Sequence, residues 1–111
     1  MKKIEQSYYA FKNEMESLQN EFEAYLSTMF SARTVRKHAH VIGLFIDFVC
    51  VDLAIQHIQD ITKEIAGSDF RRWYKRKVGN LTEQEVKASI TKFFKFLASE
   101  KQIVNEAVLT Q

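Results

Sequence analysis

The chain contains no proline and only three glycines among its 111 residues. Turns and hairpins depend on both residue types, because proline fixes the backbone and glycine tolerates left-handed conformations. This scarcity disfavours a fold of many short strands and predicts an all-α protein. With 46% hydrophobic and 27% charged residues, the composition suits one globular domain with a modest core.

Positive charge is concentrated in the middle of the chain, although the formal net charge is only +2. Residues 1–30 hold three Lys and five Glu, whereas residues 31–81 hold nine Lys or Arg and five Asp or Glu. Residues 82–111 hold four basic and four acidic residues. A local basic excess of this kind is what a binding face for a polyanion requires.

The first thirty residues predict one long helix whose N-terminal part, residues 1–20, extends beyond the rest of the fold. Apolar residues recur four and three positions apart, which keeps them on one side of a helix for about seven turns. We name them the apolar stripe: Ile4, Tyr8, Phe11, Met15, Leu18, Phe22, Tyr25 and Met29. Two interpretations fit the stripe. It packs across its own domain, or it pairs with another helix, as in a homodimer through Tyr8, Phe11, Met15, Leu18 and Phe22.

A second helix is predicted to begin after Ser31, a favourable N-cap residue. Its apolar positions cover more than half of the circumference, which indicates a central and mostly buried helix. The remaining strip carries basic or potentially basic residues at its N-terminal end: Arg33, Arg36, Lys37 and His40.

The third helix is predicted to start near 61–62 with Thr62 as its cap, to contain FRRWYKRKV (70–78), and to end at Gly79–Asn80. On a helical wheel the aromatic residues and Val78 face one way, which favours core packing over base stacking. The opposite arc carries Arg71, Arg72, Lys75 and Arg76. These cations fit either a phosphate-binding surface or a solvated face.

The fourth helix is predicted to open with a capping box formed by Thr82 and Glu85. The following fourteen residues, VKASITKFFKFLAS (86–99), contain no acidic side chain. Val86, Ile90, Phe93, Phe94 and Leu97 are predicted to face inward. The outer face carries Lys87, Ala88, Thr91, Lys92, Lys95 and Ser99. Small residues between lysines allow a helix to approach a duplex closely while the lysines reach phosphates.

Several other kinds of function are not expected. The single cysteine, Cys50, lies in an apolar run and is interpreted as a buried, inert thiol in a reducing compartment. No signal peptide or apolar segment of membrane-spanning length is present in the sequence, so we expect a cytoplasmic protein without a membrane partner. His38 and His40 point about 200° apart on a helix. They therefore cannot share one metal ion. The sequence also contains no glycine-rich phosphate loop and no Ser/His/Asp grouping, so we expect no metal, cofactor, small-molecule substrate or catalytic residue.

Three segments together resemble the core-binding domain of phage integrases and other tyrosine recombinases. They are FEAYLSTMFSARTVRKHAHVIGLFIDFV (22–49), IQDITKEI (58–65) and GNLTEQEVKASITKFFKFLASEKQIVN (79–105). The residues that match the family pattern are Phe22, Tyr25, Leu26, Ser31, Thr34, Leu44, Phe45, Phe48, Ile61, Thr62, Leu81, Thr82, Phe93, Phe94, Phe96, Leu97, Ile103 and Asn105. The resemblance implies a four-helix, SAM-like orthogonal bundle over residues 21–105, followed by a tail at 106–111.

The resemblance also implies binding of double-stranded DNA through the second and fourth helices, as in DNA recombination by mobile elements. The implied DNA-binding residues are Ser31, Arg33, Thr34, Arg36, Lys37, Lys87, Ala88, Thr91, Lys92 and Lys95. His40, Arg71, Arg72, Lys75 and Arg76 are a second group. We expect the cations of these two helices to form one continuous positive surface.

The sequence departs from the family at several positions. Glu106 replaces the family's proline, and Ala88 and Ser89 stand where integrases often carry arginines. No catalytic Arg, His-x-x-Arg box or nucleophilic Tyr follows. The expected function is therefore a non-catalytic DNA-binding module. The alternative is a helical domain for protein interaction or dimerisation that has lost DNA binding.

Overall fold

The computed structural model describes the backbone of residues 2–79 and 82–109, and the side chains of residues 9–79 and 82–109. Every regular element in these ranges is helical, which confirms the predicted all-α class. The α-helices are α1 (Lys2–Ser27), α2 (Ala32–Asp47), α3 (Phe70–Lys77), α4 (Glu83–Glu100) and α5 (Glu106–Leu109). The long N-terminal helix is confirmed, and α5 is an addition to the four predicted helices.

The chain divides into two compact units, unit 1 (Met1–Asp60) and unit 2 (Ile61–Gln111). Unit 1 contains α1 and α2, and unit 2 contains α3, α4 and α5. The division made from the sequence, at residues 20 and 105, stays a prediction.

In unit 1, α1 packs against α2. The Gln19 side-chain amide donates a hydrogen bond to the carbonyl oxygen of Ala39, with an Nε2–O distance of 2.9 Å. Gly43 lies beside the same amide, since a Cβ atom there would stand 3.2 Å from Nε2. The missing side chain at residue 43 thus leaves room for Gln19 between the two helices.

Four of the eight residues of the apolar stripe are buried within the chain, whereas Tyr25 is half-buried and Met29 is 53% exposed. Met15 and Phe22 are 0% exposed, and Phe11 and Leu18 are buried as well. These four residues are unavailable to a second copy in this conformation, so their burial favours packing within the chain over the homodimer. The side chains of Ile4 and Tyr8 lie outside the described residues.

The predicted start of α2 is confirmed, because the Ser31 hydroxyl accepts a hydrogen bond from the Thr34 backbone N–H. The helix ends in a π-helical turn over Phe48–Asp52. Cys50 in this turn is 3% exposed, and burial raises its pKa from 9.0 to about 11. A thiol with so little thiolate at neutral pH is a poor nucleophile, in keeping with the predicted buried cysteine.

In unit 2, Thr62 caps the following turn as predicted, since its hydroxyl accepts a hydrogen bond from the Ile65 backbone N–H. The regular helix predicted from there to residue 78 is wrong over one segment. A π-helical turn spans Ile65–Asp69, and Gly67 within it leaves the helical region with φ −103° and ψ −106°. The regular α-helix therefore begins only at Phe70.

The aromatic face of α3 is buried as predicted, with Phe70, Trp73 and Tyr74 all in the core. The helix ends before Gly79, whose φ of +82° is the left-handed conformation expected of a C-terminal glycine. Asn80, the other half of the predicted stop, and Leu81 lie outside the described residues.

The predicted capping box of α4 is confirmed. The Thr82 hydroxyl accepts from the Glu85 backbone N–H, and the Glu85 carboxylate accepts from the Thr82 backbone N–H. All the residues predicted to face inward are buried, and Phe96 joins them.

The segment expected to be a tail contains the short helix α5. Asn105 caps it, because its Oδ1 accepts from the Val108 backbone N–H, while its amide donates to the Ile61 carbonyl oxygen at 3.0 Å. Val108 is buried. The end of the described chain is thereby attached to the start of unit 2.

Candidate nucleic-acid interface

The positive excess of the chain belongs to unit 2. This unit holds ten Lys or Arg and six Asp or Glu, whereas unit 1 holds six basic and eight acidic residues. Unit 2 is therefore the part of the chain whose overall charge attracts a polyanion.

Three surface pockets of unit 2 share lining cations. The first, of about 220 Å³, includes Arg71 and Lys75 in its lining. The second, of about 340 Å³, includes Lys63, Arg71 and Lys87. The third, of about 240 Å³, includes Lys87 and Lys95. Because Arg71 and Lys87 each line two neighbouring pockets, the pockets form a continuous series.

We name the five cations along this series the basic row: Lys63, Arg71, Lys75, Lys87 and Lys95. Two acidic residues, Glu64 and Glu83, also line it. The row draws on three segments of the chain, namely the turn before α3, α3 itself and α4. Its excess of positive charge is the kind of electrostatic surface that attracts phosphate groups.

The outer face of α4 supplies the predicted part of this row. Lys87 and Lys95 are exposed, and Thr91 is half-buried between them in the lining of the third pocket. Ala88 and Lys92 are half-buried and do not line the three pockets. Lysines flanking a small hydroxyl residue match the arrangement expected of a helix that approaches a duplex.

The cations of α3 differ from one another in their surroundings. Arg71 is half-buried, and its Nη1 stands 3.7 Å from where a Cβ atom of Gly67 would be. Arg72 instead donates a hydrogen bond to Asp69, with an Nη2–Oδ1 distance of 2.7 Å. Arg76 is exposed and lies outside the three pockets. Of the α3 cations in the second group of predicted residues, Arg71 and Lys75 therefore belong to the basic row, whereas Arg72 and Arg76 do not.

The predicted residues of α2 lie in unit 1. Arg33, Arg36, Lys37 and His40 are exposed, Thr34 is half-buried, and Ser31 caps the helix. They follow one another along a single helix. The expected continuous surface between this helix and α4 stays a prediction.

Two residues of the second pocket, Lys63 and Ser68, were missed by the sequence analysis. A signal for Lys63 does exist, since Lys63, Gly67 and Arg71 recur every four residues and so share one side of a helix. The glycine between the two cations leaves space there. From the sequence, this segment is interpreted only as the start of a helix.

Tyr74 combines burial with an unsatisfied hydroxyl. It is 2% exposed, and its hydroxyl is the buried side-chain polar atom that lacks a hydrogen-bond partner among the described residues. Burial raises the pKa of Tyr74, with a smaller contribution in the same direction from the Glu85 carboxylate. The phenol therefore remains neutral and adds no charge to the first pocket.

The described part of the chain lacks two further kinds of functional feature. Within the described side chains, no three His, Cys, Asp or Glu residues are grouped as a metal site would require. No helix in the described part of the chain has the length and apolar character needed to cross a membrane.

Comparisons with family models, curated proteins and solved structures found no significant match for this chain. The resemblance to integrase core-binding domains therefore stays a prediction.

Proposed function

We propose that the chain is a non-catalytic module that binds double-stranded DNA mainly through its phosphates. The observation that carries this proposal is the basic row, in which cations from three segments of unit 2 line one series of pockets. Cations that converge from separate segments present charge over an area, as a polyanion requires.

The dimensions of α4 fit a duplex. Lys87 and Lys95 are eight residues apart on one helix, which corresponds to about 12 Å along its axis. Phosphates of one DNA strand rise by about 3.4 Å each, so the two lysines span about three to four nucleotides. Thr91 lies between them and is short enough to let the helix approach a groove. We assign phosphate contacts to the lysines and no base sequence to the interface.

The cations of α2 are the second part of the proposal. Arg33, Arg36 and Lys37 are exposed, and the resemblance to integrase core-binding domains implies that they share the duplex with α4. Such a domain would act in recombination of mobile-element DNA with catalysis supplied elsewhere. The Arg36→Glu variant examines this part: weaker binding supports a role for α2, and unchanged binding confines the interface to unit 2.

Salt dependence of binding tests the proposal. We expect fluorescence anisotropy with a generic ~30-bp duplex to show binding at 50 mM salt that weakens by about 1,000-fold at 200 mM. This follows from about six phosphate contacts, which give a log–log salt slope near −5. Circular dichroism at both salt concentrations should show the same helix content.

Two results would overturn the proposal. One is no binding at 50 mM salt, and the other is an affinity that scarcely responds to salt. If the chain ignores the duplex but forms a concentration-dependent dimer in sedimentation, the alternative of a protein-interaction domain replaces it.

A further inference from the structure

The second pocket of unit 2 differs from the rest of the basic row in how many cations it gathers. Lys63 precedes the π-helical turn, Arg71 belongs to α3 and Lys87 belongs to α4. Ser68 adds a hydroxyl group, and Glu64 is the acidic residue of the lining. Three cations and one carboxylate give the pocket a formal charge of +2.

This set of groups suits a small tetrahedral dianion. Arg71 offers several N–H donors in a planar fork, the two lysines act as point charges, and Ser68 supplies a further donor. A phosphomonoester carries about −1.5 to −2 charge at pH 7, whereas each bridging phosphate of a nucleic acid carries −1. The charge of the pocket therefore matches the monoester better than the diester.

Gly67 helps to shape this pocket. It lies in the lining, between the positions of Lys63 and Arg71 in the chain, and has no side chain to occupy the space. The Arg71 guanidinium lies close to it, with Nη1 3.7 Å from the site of a Cβ atom. Arg71 is also half-buried, so its charged group is less freely solvated than that of the exposed Arg76.

We propose that this pocket binds a phosphomonoester group, with the 5′-terminal phosphate of a DNA strand as its polymeric source. Only the choice of DNA as the source rests on the proposed function. The pocket binds free phosphate whether or not the chain binds duplexes, and the experiment below has one arm for each source.

The first arm uses inorganic phosphate alone. The protein, labelled with ¹⁵N, is titrated with phosphate at pH 7.5 and constant ionic strength while amide chemical shifts are followed by NMR. We expect saturable shifts at Ser68, Arg71 and Lys87 with a dissociation constant on the order of 1 mM. Arg71→Gln should weaken binding at least about tenfold, because it removes the forked donor.

Arg76→Gln is the matched control for this arm. It removes the same charge from the same helix but lies outside the pocket, and we expect an effect below about twofold. Both variants are checked by circular dichroism, and Lys63→Gln replaces Arg71→Gln should the latter misfold. Absence of saturable shifts, or equal losses in the pocket variant and the control, would overturn the proposal.

The second arm compares two blunt duplexes of identical sequence that carry either a 5′-phosphate or a 5′-hydroxyl group. We expect the phosphorylated duplex to bind about fivefold tighter, and this preference to vanish in Arg71→Gln but persist in Arg76→Gln. Phosphate binding without an end preference supports the pocket with small phosphomonoesters as its source. Phosphate binding with no duplex binding refutes the proposed function while the pocket stands.

Discussion

The apolar stripe of α1 and the basic-row lysines of α4, Lys87 and Lys95, are both regularly spaced on one helix face, yet the structure buries four residues of the first and exposes both of the second. From the sequence, the stripe fits either packing within the chain or pairing with another helix, and the outer cations of α3 fit either a phosphate-binding surface or a solvated face. For the stripe, burial favours packing within the chain, since Met15 and Phe22 are 0% exposed. Exposure of Lys87 and Lys95 leaves the basic row available to a ligand. Helical spacing thus identifies a face, and only the fold shows what covers it.

The largest expected effect tests whether the buried residues of the stripe belong to the hydrophobic core of unit 1. We expect Phe22→Ala to lower the free energy of unfolding by about 3–5 kcal/mol, because it removes a fully buried aromatic ring and leaves a cavity. Chemical denaturation followed by circular dichroism measures the change. Tyr9→Ala, on the same helix at a residue that is 54% exposed, should lower it by less than about 1 kcal/mol.

The dependence of unfolding on protein concentration distinguishes packing within the chain from dimerisation through the stripe. Because the stripe packs within the chain, the denaturation midpoint should not move when the protein concentration is raised. A midpoint that rises with concentration, together with a small loss for Phe22→Ala, would return the stripe to the role of a dimer interface.

Burial in unit 1 should also control the reactivity of Cys50. With its pKa raised to about 11 by burial, the thiolate fraction at pH 8 is about 100-fold below that of an unperturbed thiol. We therefore expect a thiol reagent such as DTNB to react at least about 100-fold more slowly with the native chain than with the chain in denaturant. Equal rates would show that this part of unit 1 is open.

The same pKa fixes the direction of the pH dependence. Because the folded pKa lies above the value of 9.0 for an unperturbed thiol, the neutral thiol is the form that the fold favours. Its contribution to stability is complete below about pH 9 and is lost as the pH rises toward 11.

The sequence predicted local features of the fold well, because capping and side-chain spacing act over one or two helical turns. Ser31, Thr62, the Thr82–Glu85 capping box and the left-handed Gly79 are all confirmed. The interruption at Gly67 could not be predicted in this way, since an isolated glycine is tolerated in regular helices. Nor could the hydrogen bond from Asn105 to Ile61, which joins residues 44 positions apart.

The candidate site was also predicted only in part, because side-chain spacing shows which face of a helix a residue lies on but not which helices pack together. The helical wheel placed Lys75, Lys87, Lys95 and Arg71 outside, and the structure exposes the three lysines and leaves Arg71 half-buried. It could not show that Arg71 and Lys87 line one pocket, because that depends on how α3 and α4 pack. The wheel also ranked all the cations of α3 together, whereas the bond from Arg72 to Asp69 distinguishes one of them.

Charge reversal within unit 2 tests most directly the central claim that the basic row binds duplex phosphates. Anisotropy at 50 mM salt compares Lys87→Glu/Lys95→Glu with Arg76→Glu/Lys77→Glu, a pair of exposed cations outside the three pockets with the same change in net charge. We predict that the first pair lowers duplex affinity at least about 30-fold and the second by less than about fivefold, with circular dichroism unchanged in both. Equal losses in the two pairs would contradict the claim, because net charge alone would then account for binding.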